Sequence, residues 1–250
     1  MTVLLIRANR NEVDQAALHA LGLDTLIDPY LEVSQVDNSA GALRLLDSIT
    51  SGEAAWLVVT SLNALDYWSA QLPPGALAAA VASRPNLRVA AIGPSTAAAA
   101  TKVMGATEVL TPEEGTSRVL ADLLADYPPG VVVVPSGAIS MRSLPETLIP
   151  RGFEVREEVF YSTQQPASPP RTAGVLDNFS ITDVLFRSPS AVRSFAAFNP
   201  ELPSDLRLFA TGPTTAEHMR KLGLPVTAVS ADSSPDTVAH TIASTLRESS

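Results

Sequence analysis

The sequence predicts an α/β protein of two domains, each a parallel sheet flanked by helices, built from an internally duplicated unit. Three observations predict it. Short runs such as Val131–Val134 are apolar on both faces, as strands covered from both sides are. Such runs alternate with alanine-rich stretches of helical character, the order that yields a parallel sheet. A six-residue stretch also recurs, Ile-Gly-Pro-Ser-Thr-Ala at 92–97 returning as Thr-Gly-Pro-Thr-Thr-Ala at 211–216.

Taken in order, V-L-L-I predicts a first strand over Val3–Arg7, followed by a helical pattern over 12–22 that closes at Gly22. A second strand is predicted at Thr25–Pro29, and the polar, structure-breaking stretch at 34–41 then interrupts the pattern. Strands follow at Trp56–Thr60, Arg88–Ile92, Glu108–Leu110, Val131–Pro135 and Glu154–Tyr161. A second breaking stretch spans 162–174, with four of its residues proline or glycine beyond Gln165. Strands at Asp183–Phe186, Leu206–Ala210 and Val226–Val229 complete the prediction, with a helical pattern at 214–223 between the last two.

The repeat extends beyond the opening motif. WLVVTSLNAL at 56–65 resembles DVLFRSPSAV at 183–192, aligning Ser61 with Ser188 and Ala64 with Ala191. Both breaking stretches fall after the second strand of the repeated unit. As domain crossings they predict one domain from 1–33 plus 172–250 and another from 37–161, with linkers at about 34–36 and 162–171. The chain then passes between domains twice, a hinge that still permits opening around a ligand.

Composition narrows the chemistry. The chain lacks cysteine, which removes disulfides and thiol catalysis. His19, His218 and His240 are too far apart for the spacings metal ligands use, so no metal is expected. A net charge of −9 argues against a nucleic-acid partner. The apolar runs are too short to span a bilayer, and the opening lacks the features of a signal peptide, so a cytoplasmic protein without a membrane partner is expected. Neither a Gly-x-Gly-x-x-Gly after the first strand nor a Walker lysine pattern occurs, which weighs against a nucleotide cofactor.

In open parallel sheets ligands bind beyond the carboxyl ends of the strands. Four loops there share one composition: TSLNA at 60–64, GPSTA at 93–97, RSPSA at 187–191 and GPTTA at 212–216. Their hydroxyls and helix-start amides suit a carboxylate or phosphate, which makes Thr60, Ser61, Ser95, Thr96, Ser188, Ser190, Thr214 and Thr215 candidate binding residues. The same loops also fit simple capped helix starts. The loop 135–144 adds Ser136, Gly137 and Arg142, and Arg7 ends the first strand; either arginine fits a carboxylate partner or a solvated surface. Tyr161 ends a strand at the mouth of the expected cleft, as a packing residue or a proton donor.

Over its whole length the chain resembles the uroporphyrinogen-III synthase family. The resemblance is carried by VLLIRANRNE, WLVVTSLNAL, VAAIGPSTAAAATKVMG, LPETLIPRGFEVREEVFYST, DVLFRSPSAVRSF and LFATGPTTAEHMRKLGLPV, in that order. It implies two α/β domains joined by a two-stranded linker, and a cofactor-free reaction on the linear tetrapyrrole hydroxymethylbilane. The macrocycle closes with inversion of ring D through a spiro intermediate. The terminal hydroxyl leaves as water and generates an electrophilic azafulvene. The resemblance places a functional tyrosine at Tyr161, as donor to the departing hydroxyl. It also suggests transient handover from the deaminase that makes the substrate.

Some positions depart from the family pattern. Ala8 stands where proline is common, Leu62 where proline or alanine is usual, Arg187 where threonine is frequent, and Pro-Ser-Gly at 135–137 where Arg-Gly is often seen. A non-catalytic tetrapyrrole- or carboxylate-binding module is the alternative from another class. A solute-binding protein and a glycosyltransferase-like enzyme fit less well, lacking an export signal and a nucleotide loop respectively. A monomer is the simplest expectation.

Overall fold

The computed structural model describes residues 1–139 and 143–248. Along the chain come β1 (Thr2–Leu5), α1 (Asn11–Ala20), β2 (Asp24–Ile27), β3 (Glu32–Gln35), α2 (Ser39–Thr50), β4 (Ala54–Val59) and α3 (Leu62–Ser69). Next are α4 (Ala76–Ala82), β5 (Arg88–Ala91), α5 (Pro94–Met104), β6 (Val109–Leu110), α6 (Ser117–Ala125), β7 (Val131–Gly137), α7 (Ser143–Leu148) and β8 (Glu154–Gln164). The last are β9 (Ile181–Phe186), α8 (Pro189–Phe198), β10 (Arg207–Thr211), α9 (Pro213–Lys221), β11 (Ala228–Ser230) and α10 (Pro235–Glu248). The chain divides into two compact units, Met1–Val33 with Thr163 onward, and Ser34–Ser162.

The first unit holds a sheet in the order β11-β10-β9-β1-β2, with every neighbouring pair parallel. Alternation of side chains sends Leu4, Ile6, Val184, Phe186 and Leu208 to one face, against Tyr30, Ala191 and Phe195. Val3, Leu5, Leu185 and Phe209 go to the other, against Leu18, Val238 and Ile242 of α1 and α10. This is why the strands are apolar throughout. Each such large side chain, once buried, contributes about 1.5–3 kcal/mol over leaving it exposed.

The second unit repeats the arrangement in the order β3-β8-β7-β4-β5-β6. Trp56, Val58, Val132 and Val134 pack on Leu120 and Leu124 of α6. Leu57, Val59 and Val133 pack on Leu45, Leu65, Trp68 and Ala100 from α2, α3 and α5. Read from β11 and from β6, the two sheets run through five corresponding strands, and β3 adds a sixth to the second.

β3 and the end of β8 differ from the expectation. Residues 34–36 and 162–164 were expected as linker, yet β3 reaches Gln35, β8 runs to Gln164, and the two are neighbours in the sheet. Val36 N–H donates to the Phe160 carbonyl at 2.9 Å, and the Ser34 and Ser162 hydroxyls meet at 3.0 Å. Backbone pairing holds an edge that buries little apolar surface, so the polar composition of β3 resembles a loop.

Two buried polar groupings fix the first unit. Asp28, 5% exposed, accepts from both the backbone N–H and the hydroxyl of Thr172, each at 2.8 Å. The Tyr30 hydroxyl lies 2.9 Å from the Thr172 hydroxyl and accepts from Asn199 at 3.3 Å, while burial raises the Tyr30 pKa above the ordinary phenol value. In the sheet, fully buried Asp183 takes Arg207 Nε at 2.7 Å and Nη2 at 3.1 Å. Its Oδ2 also accepts from the Thr182 hydroxyl at 2.7 Å.

Candidate active site

In the second unit the carboxyl ends of β4, β7 and β8 surround a cavity of about 140 Å³, walled by Thr60, Ser61, Ser117, Gly137, Glu157 and Tyr161 together with apolar side chains. Tyr161 stands near the end of β8, and its phenol donates to the Ser61 hydroxyl at 3.1 Å. Ser61 is the N-cap of α3 in extended conformation, yet its side chain makes no capping bond. An N-cap serine ordinarily accepts from the first helical turn. Here that acceptor is turned to Tyr161 instead.

The Tyr161 ring is packed from α3 and from β7, and its chain neighbour is anchored separately. Tyr67 of α3 stacks on it with centroids 6.1 Å apart and planes 22° from parallel. Its chain neighbour Phe160, fully buried, stacks on Trp68 of the same helix, at 6.2 Å and 23°. Trp68 is tied in turn through Nε1 to the Ala42 carbonyl at 3.2 Å. On β7, Gly137 lies opposite Tyr161 beyond a register shift, and Ala138 N–H donates to the Tyr161 carbonyl at 2.8 Å. A Cβ on Gly137 would come within 2.5 Å of Tyr161 Cζ. The tyrosine occupies space that only glycine leaves open.

The structure separates the other expected residues. Ser136 is buried and donates weakly to the Glu158 carbonyl at 3.4 Å. It is not part of the cavity wall, whereas Gly137, beyond a register shift from it, is. Arg142 lies outside the described residues. At the start of α5, Ser95 is exposed and Thr96 buried; at the start of α9, Thr214 is exposed and Thr215 buried. Neither helix has a side-chain cap, so its first amides keep the donor capacity that attracts anions. The matching glycines differ: Gly93 is extended at φ −177°, whereas Gly212 sits at φ +83°, a region that favours glycine.

In the first unit, Ser188 caps α8 by accepting from Ala191 N–H at 3.3 Å, and its hydroxyl meets that of Ser190 at 3.0 Å. Arg7 does not stand alone there. Its Nη1 is 3.6 Å from Asp14 Oδ2, while Arg187 grips both oxygens of the same carboxylate, Nε to Oδ2 at 3.0 Å and Nη2 to Oδ1. Arg187 also donates to the Ser233 carbonyl at 2.7 Å. Burial, followed by the charge of Arg187, lowers the Arg7 pKa against the opposing pull of Asp14. Arg10 contributes to the same field. Arginine charge is therefore gathered at this strand edge although the chain as a whole is acidic.

Sequence reasoning missed Arg187 as a structural clamp, and missed Tyr67, Ser117 and Glu157 around Tyr161. Two of these had a readable signal. Tyr67 lies on the helix that Ser61 starts, and Glu157 precedes Tyr161 by four residues on the same strand. Among the described residues no group of three or more His, Cys, Asp or Glu could hold a metal ion. No described helix is long and apolar enough to cross a membrane.

A family model described as Uroporphyrinogen-III synthase HemD matches residues 12–239. The chain belongs to the uroporphyrinogen-III synthase family. That family comprises cofactor-independent cyclising lyases of tetrapyrrole biosynthesis, acting on a small-molecule tetrapyrrole. Among solved structures, a mutant uroporphyrinogen III synthase from the extremely thermophilic bacterium Thermus thermophilus is similar at TM-score 0.65 and 18% identity, covering 99% of each chain. Uroporphyrinogen-III synthetase from Helicobacter pylori is similar at TM-score 0.62 and 15% identity, covering 98% of this chain and 99% of that one. These likenesses show the shared α/β fold of parallel sheets flanked by helices.

The packing of Gly137 gives a first prediction for the synthase. Gly137→Ala must push the Tyr161 ring aside, and for the role proposed for that ring below a displacement of about 1 Å costs on the order of 100-fold in rate. Uroporphyrinogen III formation by Gly137→Ala is expected to fall by at least about tenfold, with a thermal melt within a few degrees of the parent. Wild-type turnover would show that the ring's position is immaterial.

Proposed function

We propose that the protein converts hydroxymethylbilane to uroporphyrinogen III, with Tyr161 protonating the hydroxyl that leaves. The observation that carries the role is the Tyr161 phenol, donating to Ser61 in a small cavity at the carboxyl end of the sheet. A phenol O–H held in place can pass its proton to a departing hydroxide. Ser61 then orients the donor until substrate takes its place.

The substrate supplies the rest of its own activation. Its electron-rich pyrrole expels the hydroxyl, so the protein's main work is to fold the chain and hold the intermediate. Substrate acetates and propionates are taken up by the uncapped starts of α5 and α9, through the exposed Ser95 and Thr214 and the backbone amides of Thr96 and Thr215, and by Thr60, Ser188, Ser190 and Arg7. The amides and hydroxyls among these give donors without mobile charge. Because hydroxymethylbilane closes spontaneously to the I isomer, direct handover from the deaminase in the cytoplasm is part of the same proposal.

The test supplies hydroxymethylbilane and measures the ratio of uroporphyrinogen III to uroporphyrinogen I. The III isomer is expected to predominate. A ratio equal to that of the protein-free control refutes the activity.

A further inference from the structure

The cavity around Tyr161 contains a carboxylate that the fold does not use. Glu157 and Tyr161 line the same space with Thr60, Ser61 and Ser117. The other charged side chains of β8 are engaged elsewhere. Arg156 pairs with Glu53 and Glu154, and Glu158 is held by Asn38 and Arg44. The Glu157 side chain makes no hydrogen bond or ion pair among the described residues. The described walls of its cavity offer hydroxyls, a phenol and apolar side chains, but no cation.

A bare carboxylate is the wrong group for binding a substrate rich in carboxylates. It is the right group for a positive charge that appears only during reaction. Resting on the reading of Tyr161 as proton donor, we propose that Glu157 is a catalytic residue that stabilises the azafulvenium cation. The C–O bond of the hydroxymethyl group breaks as the pyrrole nitrogen lone pair forms the exocyclic double bond. The oxygen leaves with the bonding pair, takes the Tyr161 proton and departs as water. This leaves a cation shared between the methylene carbon and the ring N–H, with Tyr161 as phenolate. The Glu157 carboxylate accepts from that N–H, an interaction that strengthens as charge develops. The proton shed by ring D when its last bond forms restores the phenol.

An interaction that grows in the transition state raises kcat rather than binding. Glu157→Gln keeps the shape and an acceptor for the N–H but removes the charge. Its kcat for uroporphyrinogen III is expected to fall by about tenfold or more. Its KM is expected to stay level or fall, because a repulsion toward the substrate has gone, and its thermal melt to remain unchanged. Glu157→Asp, which keeps the charge, is expected to retain more kcat than Glu157→Gln. A Glu157→Gln kcat within about twofold of the parent, or a raised KM alone, overturns the proposal. The parent's isomer ratio is measured first, so that failure of the synthase reading is seen separately from failure of this role.

Discussion

Tyr161→Phe is expected to lower kcat for uroporphyrinogen III formation by about 100-fold while leaving KM within about twofold. The substitution removes one oxygen and keeps the ring, so the stack on Tyr67 and the packing against Gly137 persist. Only the donor to Ser61 is lost, and the serine hydroxyl is free to turn back to its role as helix cap. A general acid in a positioned site is worth about 10²–10⁴ in rate, and the lower end is expected because the substrate activates itself. Slower enzymatic closure also lets spontaneous closure compete, so the product of Tyr161→Phe should shift toward the I isomer. Steady-state kinetics with isomer analysis checks both. Unchanged kcat would make Tyr161 a packing residue.

Asp28→Ala is expected to be the most damaging of these substitutions to stability, by about 3–5 kcal/mol. The carboxylate is 5% exposed and Thr172 is fully buried, so truncation strands two donors, each costing about 1–3 kcal/mol. The loss spreads because the Thr172 hydroxyl is also the partner of Tyr30, whose ring packs on Phe195 at 5.3 Å and Phe198 at 6.0 Å. Asn199 is drawn in as well, since its Oδ1 accepts from Gly174 N–H at 2.8 Å. Thermal or denaturant melting of the whole chain is the measurement, with the first unit expected to unfold early. A melt matching the parent would show that water replaces Asp28 at Thr172 without loss.

What was legible in the sequence follows from where the information lies. Val131–Pro135 and Trp56–Thr60 appear as strands because burial on both faces writes itself into consecutive residues. β3 left no such mark, because its pairing with β8 uses backbone groups that every sequence possesses. Tyr161 could be found as an aromatic at a strand end beside a break in composition. Its surroundings could not, since the cavity joins side chains from separate strands and Gly137 matters for the atoms it lacks. The Arg187–Asp14 pair spans 173 positions, and a single sequence gives no sign that two such distant residues meet.

The two glycine-proline corners, spelled almost alike, answer differently to mutation. At Gly212 the backbone itself demands glycine, so drift there is stopped by folding alone. At Gly93 the backbone is extended and an added Cβ would meet nothing within 4 Å, so folding leaves the position free to wander. A glycine kept at 93 over evolutionary time is therefore kept by whatever docks there, and the variability of that one position becomes a record of the ligand.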